Sequence, residues 1–446
     1  MMEYLIKNAK IVNEGKIVEG DVFVKDQIIA EIDTSISVKS NTTQVIDAEG
    51  NFLIPGMIDD QVHFREPGLT HKETILTGSK AAVAGGITSY FEMPNTQPQT
   101  TTQTLFQEKC QLANSNSYAN FAFMFGGTND NLEEIKKINP KITPALKLFL
   151  GSSTGNMLVD DENVLEQIFK HSPLIIAAHC EDEATIKHNL EKAISNYGED
   201  IPISEHPNIR SEEACYLSSS KAIKLAEKTG ARLHVFHLST AKEMSLFGNK
   251  KPLNKKQITA EVCIHHLWFS DKDYQDKGTF IKWNPAVKTE KDRDALWKAL
   301  NNDKIDVVAT DHAPHTKEEK KQIYTKAPSG GPLVQHALPA LFEAYHQNKI
   351  SVERIVEKTA HNPARLFDVE KRGFIKEGYF ADLVLVNPNE PWSVNQDNIF
   401  YKCGWSPFYG SSFRSRITHT FVNGNLVYKN FKFSDDKPGM QITFER

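Results

Sequence analysis

Pro173–His179 reads PLIIAAH: a proline, an apolar run, and an imidazole at its end. A run of about four to eight apolar residues is the length of a buried strand and is short for a helix. The texture recurs on both sides, in Pro144–Leu150 (PALKLFL), Arg232–Leu238 (RLHVFHL), Gln257–His266 (QITAEVCIHH) and Lys304–His312 (KIDVVATDH). Helical stretches separate these runs, so residues 54–371 read as βα repetition and predict a parallel sheet. Each run also ends in a polar, chemically capable residue. Closing eight such units into a (β/α)8 TIM barrel would gather those ends around one mouth. The other topology is an open doubly wound sheet, but no GxGxxG or GxxxxGK(S/T) phosphate loop follows any of the runs. The expected fold class is therefore α/β, with the barrel over 54–371 carrying the active site.

Outside that segment the texture changes. YLIKNAKIV, DVFVKDQIIAEI and TQVIDAEG alternate apolar and polar side chains between turns, which predicts antiparallel strands. The far end returns to the pattern in ADLVLVNP and THTFVNGNLVYKN, where Asn423-Gly424 is a hairpin turn. Residues 1–53 and 372–446 are expected to build one small composite β domain. The 446 residues exceed what a single core usually holds, in keeping with two domains.

Composition excludes several classes of function. With 52 basic and 57 acidic residues the net charge is −5, which argues against a nucleic-acid or membrane-surface partner. No stretch approaches the roughly 18 to 20 apolar residues of a membrane helix, and MMEYLIKNAK has no apolar signal core. A soluble, cytoplasmic protein acting on a small molecule is expected. The five cysteines lack CxxC spacing and read as buried thiols of a reducing compartment, not as nucleophiles.

The strand-end residues, in order, are His63, Lys147, His179, His237 and Asp311. Imidazoles and a carboxylate converging from different strands suit zinc or a similar divalent ion. Lys147 stands out because LKLFL places an ammonium inside an apolar strand, where burial is costly. It either pairs with a buried acid, or its neutral amine has captured CO2 as a carbamate able to bridge two metal ions. Beside the histidine set the carbamate is the preferred reading. A metal site at a strand end usually shows His-x-His, since alternate residues point the same way, yet Gln61 stands two residues before His63. An amide oxygen is a poor zinc ligand. One zinc held firmly, with a second weaker or absent, is expected, and Gln61 is at most a weak ligand.

The segments DDQVHFREPG, EMPNT, LKLFL, AAHCEDE, HVFHLSTA, EVCIHHL, ATDHAPHT and GWSPFYG together resemble the dihydroorotases of the amidohydrolase superfamily, in that family's order across nearly the whole chain. DHAPH and REPG are the most telling. The resemblance implies a TIM-barrel metalloenzyme interconverting N-carbamoyl-L-aspartate and (S)-dihydroorotate in pyrimidine synthesis, and a homo-oligomer, a dimer. It implies that His63, a carboxylated Lys147, His179, His237 and Asp311 surround zinc. Arg65 and Asn95 would hold the substrate carboxylate, and Asn284 and His315 would line the ring pocket.

The residue types suit that chemistry. Opening a cyclic amide needs an activated water, a polarised carbonyl and a proton for the departing nitrogen; zinc supplies the first two, and Asp311 would carry the proton. Arg65 lies two residues after His63, on the same side of an extended strand, and its fork matches a carboxylate. His312–Gln335, polar and glycine-punctuated, reads as a lid loop, with Lys317–Lys321 a solvated helix start. Two other readings stay open: a hydantoinase, dihydropyrimidinase or allantoinase acting on uncharged rings, and a catalytically silent scaffold relative, for which Gln61 would be one lost ligand.

Overall fold

The structure, a computed structural model, describes residues 2–151 and 157–446. Two arcs of parallel strands form its centre. One contains Met57–Val62, Ile87–Glu92 and Asn120–Phe123; the other runs Phe125–Gly126, Leu146–Phe149, Ile176–His179, Leu233–Val235, Ile258–Cys263 and Val307–Ala309. Asn120–Phe123 and Phe125–Gly126 are one strand interrupted at Met124, which joins the arcs on one side. On the other side Val62 pairs with His312, and the His63 N–H donates to His312 O at 2.7 Å. The result is a closed (β/α)8 barrel. Its strands are short and buried along their length, which is why PLIIAAH and its kin read as unbroken apolar runs.

The nine-stranded sheet takes strands from both ends of the chain. Phe52–Pro55 lies at its centre, parallel to Glu3–Asn13 and antiparallel to Leu383–Asn387. Gln44–Asp47 also runs parallel to Glu3–Asn13. The expectation of antiparallel strands thus fails at Gln44–Asp47, because the chain returns to Glu3–Asn13 through a crossover and not a hairpin. Asn423-Gly424 does make the expected hairpin, between Arg416–Val422 and Asn425–Lys429, with both residues in the left-handed region (φ 48° and 73°).

The chain leaves this sheet at Pro55 and enters the barrel at Met57, so the apolar run Phe52–Ile58 is divided between two sheets. Gly56 is the pivot. A Cβ there would lie 2.1 Å from Thr88 Oγ1, so only glycine lets the two layers approach so closely. The far end also departs from the simple division: Gln441 bridges Phe121, the Ile442 N–H donates to Phe121 O, and Phe444 packs edge-on to Phe91. Residues 441–444 therefore cover barrel strands, although the sequence texture assigns them to the β domain.

Candidate active site

A cavity of about 140 Å³ opens at the C-terminal ends of the barrel strands. It is lined by Gln61, His63, Arg65, Asn95, Lys147, His179, His237, Asn284, Asp311 and His315, together with Trp283 and Pro328–Gly330. Every residue singled out in the sequence thus reaches one cavity. The strands do not deliver them all directly. Met57–Val62 ends before His63, and Arg65, His237 and Asp311 adopt left-handed backbone (φ 67°, 39° and 48°). Arg65 therefore arrives through a turn and not through strand alternation, as the spacing had suggested. Each such non-glycine conformation costs on the order of 1 to 3 kcal/mol, and such costs gather where side-chain direction matters more than stability.

His179 Nδ1 and His237 Nε2 lie 2.9 Å apart. The His179 Nε2–H donates to Glu181 Oε2 at 3.0 Å, leaving Nδ1 with a lone pair facing its neighbour. Burial raises the Glu181 carboxyl, but Arg210 and His179 outweigh it and hold the group down to about 2. His237 is fixed from behind by its own N–H, which donates to Glu261 Oε1 at 2.9 Å. Burial, then the charges of His179 and Lys147, keeps the His237 ring well below its ordinary range and hence neutral. His63 is likewise kept neutral by burial and by Arg65; it turns Nδ1 to Asn95 Oδ1 at 2.9 Å and Nε2 to Asp311 Oδ1 at 3.3 Å. Asn95 thus orients a histidine, a role the sequence did not suggest.

Lys147 is 1 % exposed, and among the described residues its Nζ has no hydrogen-bond partner. It lies 4.1 Å from the Phe236 ring centre and 4.9 Å from that of Phe149. Burial pulls the amine down to about 8, against the pull of Asp311 and Glu261, so about a tenth of it is neutral near pH 7. Burial pushes Asp311 up to about 7, opposed by Lys147, His179 and Arg65. Imidazole nitrogens turned toward one another, a nearby carboxylate and a buried amine form a donor set that fits divalent metal ions. Gln61 is the weakest member: its Oε1 accepts from Cys263 Sγ at 3.7 Å.

Arg65 is 6 % exposed, and among the described residues no carboxylate comes within ion-pair distance of it. Its Nε donates to Pro314 O at 3.1 Å, while Nη2 lies 3.1 Å from His315 Nε2. Lys72 Nζ lies 3.0 Å from His315 Nδ1, and His315 Nε2 lies 3.1 Å from Ser329 O. With Arg65 and Lys72 both set against the His315 ring, this side of the cavity is rich in donors. The loop bearing Ser329 is braced by Lys320, wholly buried, whose Nζ donates to Lys282 O, Pro328 O and Gly330 O. That corrects the reading of Lys317–Lys321 as solvated: Lys317–Lys320 is a helix, but its last lysine points inward and caps carbonyls that the irregular loop leaves unpaired.

A metal-capable mouth on a closed (β/α)8 barrel, set beside a two-ended β sheet, is the architecture of a barrel hydrolase. The family described as "Amidohydrolase family" matches residues 52–427, and the chain belongs to it. Among curated proteins it is 34 % identical to the dihydroorotase of Methanosarcina mazei over 92 % of this chain and 91 % of that one, and 31 % identical to the dihydroorotase of Pyrococcus abyssi over 99 % of each. Among solved structures, the L-hydantoinase (dihydropyrimidinase) of Arthrobacter aurescens superposes with a TM-score of 0.93 at 27 % identity, over 99 % of this chain and 100 % of that one. The chain is a cyclic amidohydrolase.

Proposed function

We propose that the chain is a dihydroorotase, interconverting N-carbamoyl-L-aspartate and (S)-dihydroorotate. The observation that carries this reading is Arg65, a buried guanidinium with no carboxylate at ion-pair distance among the described residues, on the wall of the cavity that holds the metal-capable set. Desolvated cations call for anions, and of the two ring classes its relatives are named for, dihydroorotate carries a carboxylate and simple hydantoins do not. The dihydroorotase relatives, at 31 to 34 % identity, support the same choice.

Ring opening breaks the cyclic amide C–N bond, puts a water oxygen on the carbonyl carbon and a proton on the departing nitrogen; closure is the reverse. Asp311, held near neutrality by burial, suits both halves of the proton transfer, as base toward the water and as acid toward the nitrogen. Arg65 binds the ring carboxylate, with His315 beside it; Asn95 holds His63 in place; Asn284 and Ser329–Gly330 close the ring pocket. Zinc held by His63, Lys147, His179, His237 and Asp311 would supply the Lewis acid and lower the pKa of a water toward about 7. The neutral fraction of Lys147 would attack the CO2 carbon and lose one proton, giving the carbamate.

The likeness to a hydantoinase favours uncharged rings as the second reading. The two separate in one experiment on zinc-loaded protein: ring closure of carbamoyl-aspartate measured beside ring opening of dihydrouracil and hydantoin. Preference for carbamoyl-aspartate is expected; preference for an uncharged ring would overturn the assignment.

A further inference from the structure

Beneath the catalytic cavity, three strands turn Asp60, His234 and Glu261 toward one another inside the barrel, each with no exposure to solvent. The tautomer of His234 follows from its neighbours. Thr259 Oγ1 lies 2.8 Å from Nδ1 and gives its own proton to Leu233 O at 3.3 Å, so the ring donates from Nδ1 and Nε2 keeps a lone pair. That lone pair points 3.2 Å from Asp60 Oδ2 and 4.0 Å from Glu261 Oε2. Glu261 has already engaged its other oxygen, with the His237 N–H at 2.9 Å and the Cys263 S–H at 3.3 Å.

Four acceptors thus converge in a closed space: both oxygens of Asp60, Nε2 of His234 and Oε2 of Glu261. None of them has a hydrogen-bond partner among the described residues. One ligand atom from each residue fits within 4.8 Å of the others. Buried acceptors left without donors are costly, and each would be expected to have a partner. A single proton between His234 and Asp60 would leave Asp60 Oδ1 and Glu261 Oε2 unsatisfied. A divalent cation held by one atom from each residue engages His234 and both carboxylates and balances the two carboxylates in charge. Its size fits as well: tetrahedral ligands at about 2.0 to 2.1 Å from zinc stand about 3.3 to 3.4 Å apart, between the two separations observed.

We propose that Asp60, His234 and Glu261 form a structural site for a first-row divalent transition-metal ion, distinct from the catalytic set. One imidazole with two carboxylates suits zinc, manganese or iron, and full closure from solvent marks a structural site, not a catalytic one. Glu261 couples it to the chemistry above, because the carboxylate that binds the ion also holds the His237 backbone in its left-handed turn. The inference does not depend on the substrate.

The test is positional. Crystals of the wild-type protein loaded separately with Zn2+ and with Mn2+ are measured at the absorption edge of each metal. An anomalous peak among Asp60, His234 and Glu261 with at least one ion is expected; its absence with both overturns the proposal. Metal content by mass spectrometry gives a second reading. Folded Asp60→Asn and His234→Gln should each hold one ion per chain fewer than wild type. Lys147→Ala, which strips the catalytic set, should keep the interior ion. Undiminished metal in folded Asp60→Asn also refutes the site. Should both interior variants fail to fold, the wild-type crystals decide alone.

Discussion

Arg65 makes the sharpest prediction, because its expected effect depends on the charge of the substrate. In the bound state its fork would make two parallel charge-assisted hydrogen bonds to the ring carboxylate, each contributing about 1.5 to 3 kcal/mol. Arg65→Lys keeps the charge but loses one of the two, and loses the Nε bond that aligns the guanidinium on Pro314 O. The loss of about 1.5 to 3 kcal/mol corresponds to roughly 10- to 150-fold in kcat/KM for carbamoyl-aspartate. Arg65→Met removes the cation and strands the carboxylate in a dry site, costing about 3 to 5 kcal/mol, or roughly 150- to 5,000-fold. The assay is steady-state kinetics of both variants with carbamoyl-aspartate and, in parallel, with dihydrouracil. Any residual turnover of the uncharged ring should be preserved. Equal losses on charged and uncharged rings, or an unchanged kcat/KM for carbamoyl-aspartate, would show that Arg65 serves the fold and would remove the main support for a carboxylate-bearing substrate.

Lys147→Ala should abolish tight metal binding at the catalytic set and activity with it, with partial rescue by short carboxylates and bicarbonate; near-normal catalytic-site metal and turnover would rule out a carbamate bridge. Asp311→Asn should keep the fold and lose roughly 10²- to 10⁴-fold in turnover, since an amide cannot shuttle the proton; wild-type rates would exclude it as the carrier. Asp311 also makes a stability prediction for metal-free protein. Its folded pKa of about 7 lies above the unfolded value, so the native state binds the extra proton and stability falls as pH rises from about 4 through 7. Thermal melts of Asp311→Asn should lack that part of the decline, and an identical pH profile would contradict the burial argument. Gln61→His should raise the affinity of the weaker catalytic zinc, seen as zinc retained after mild chelation; equal retention of two catalytic zincs in wild type would make Gln61, or a residue beside it, a full ligand.

The barrel and the cavity lining were legible because both follow local rules. A buried parallel strand is a short apolar run: His179 announces itself as the polar residue at the end of one, and Lys147 as the charge inside another. What escaped notice depends on chain segments that meet only in three dimensions. Glu181 reads as an ordinary acid at a helix start until Arg210 folds over it. Asp60 and Glu261 are separated by some two hundred residues, and although Glu261 lies inside an apolar run, nothing local says that the two meet. Lys320 belongs to a charge run like many solvated ones, and only the carbonyls of a loop packed over it explain its inward turn. Arg65 was found for an incomplete reason: period-two spacing pointed to the correct side, but the left-handed turn delivers it. The hydrogen bond from His63 to Asn95 could not be foreseen either, since Asn after a strand is ordinary turn chemistry.

The sheet built from both ends of the chain sets a timetable. Leu53 pairs with Leu385, so during synthesis an edge of Phe52–Pro55 waits for a partner more than three hundred residues downstream. At roughly 5 to 20 residues per second the wait is on the order of 15 to 70 seconds. Throughout it a wholly apolar strand, FLIP, presents unpaired backbone groups to whatever passes, which is the circumstance in which nascent chains associate edge to edge. A hydrogen-bond requirement spanning most of the sequence thus leaves the sheet incomplete until the chain is nearly finished.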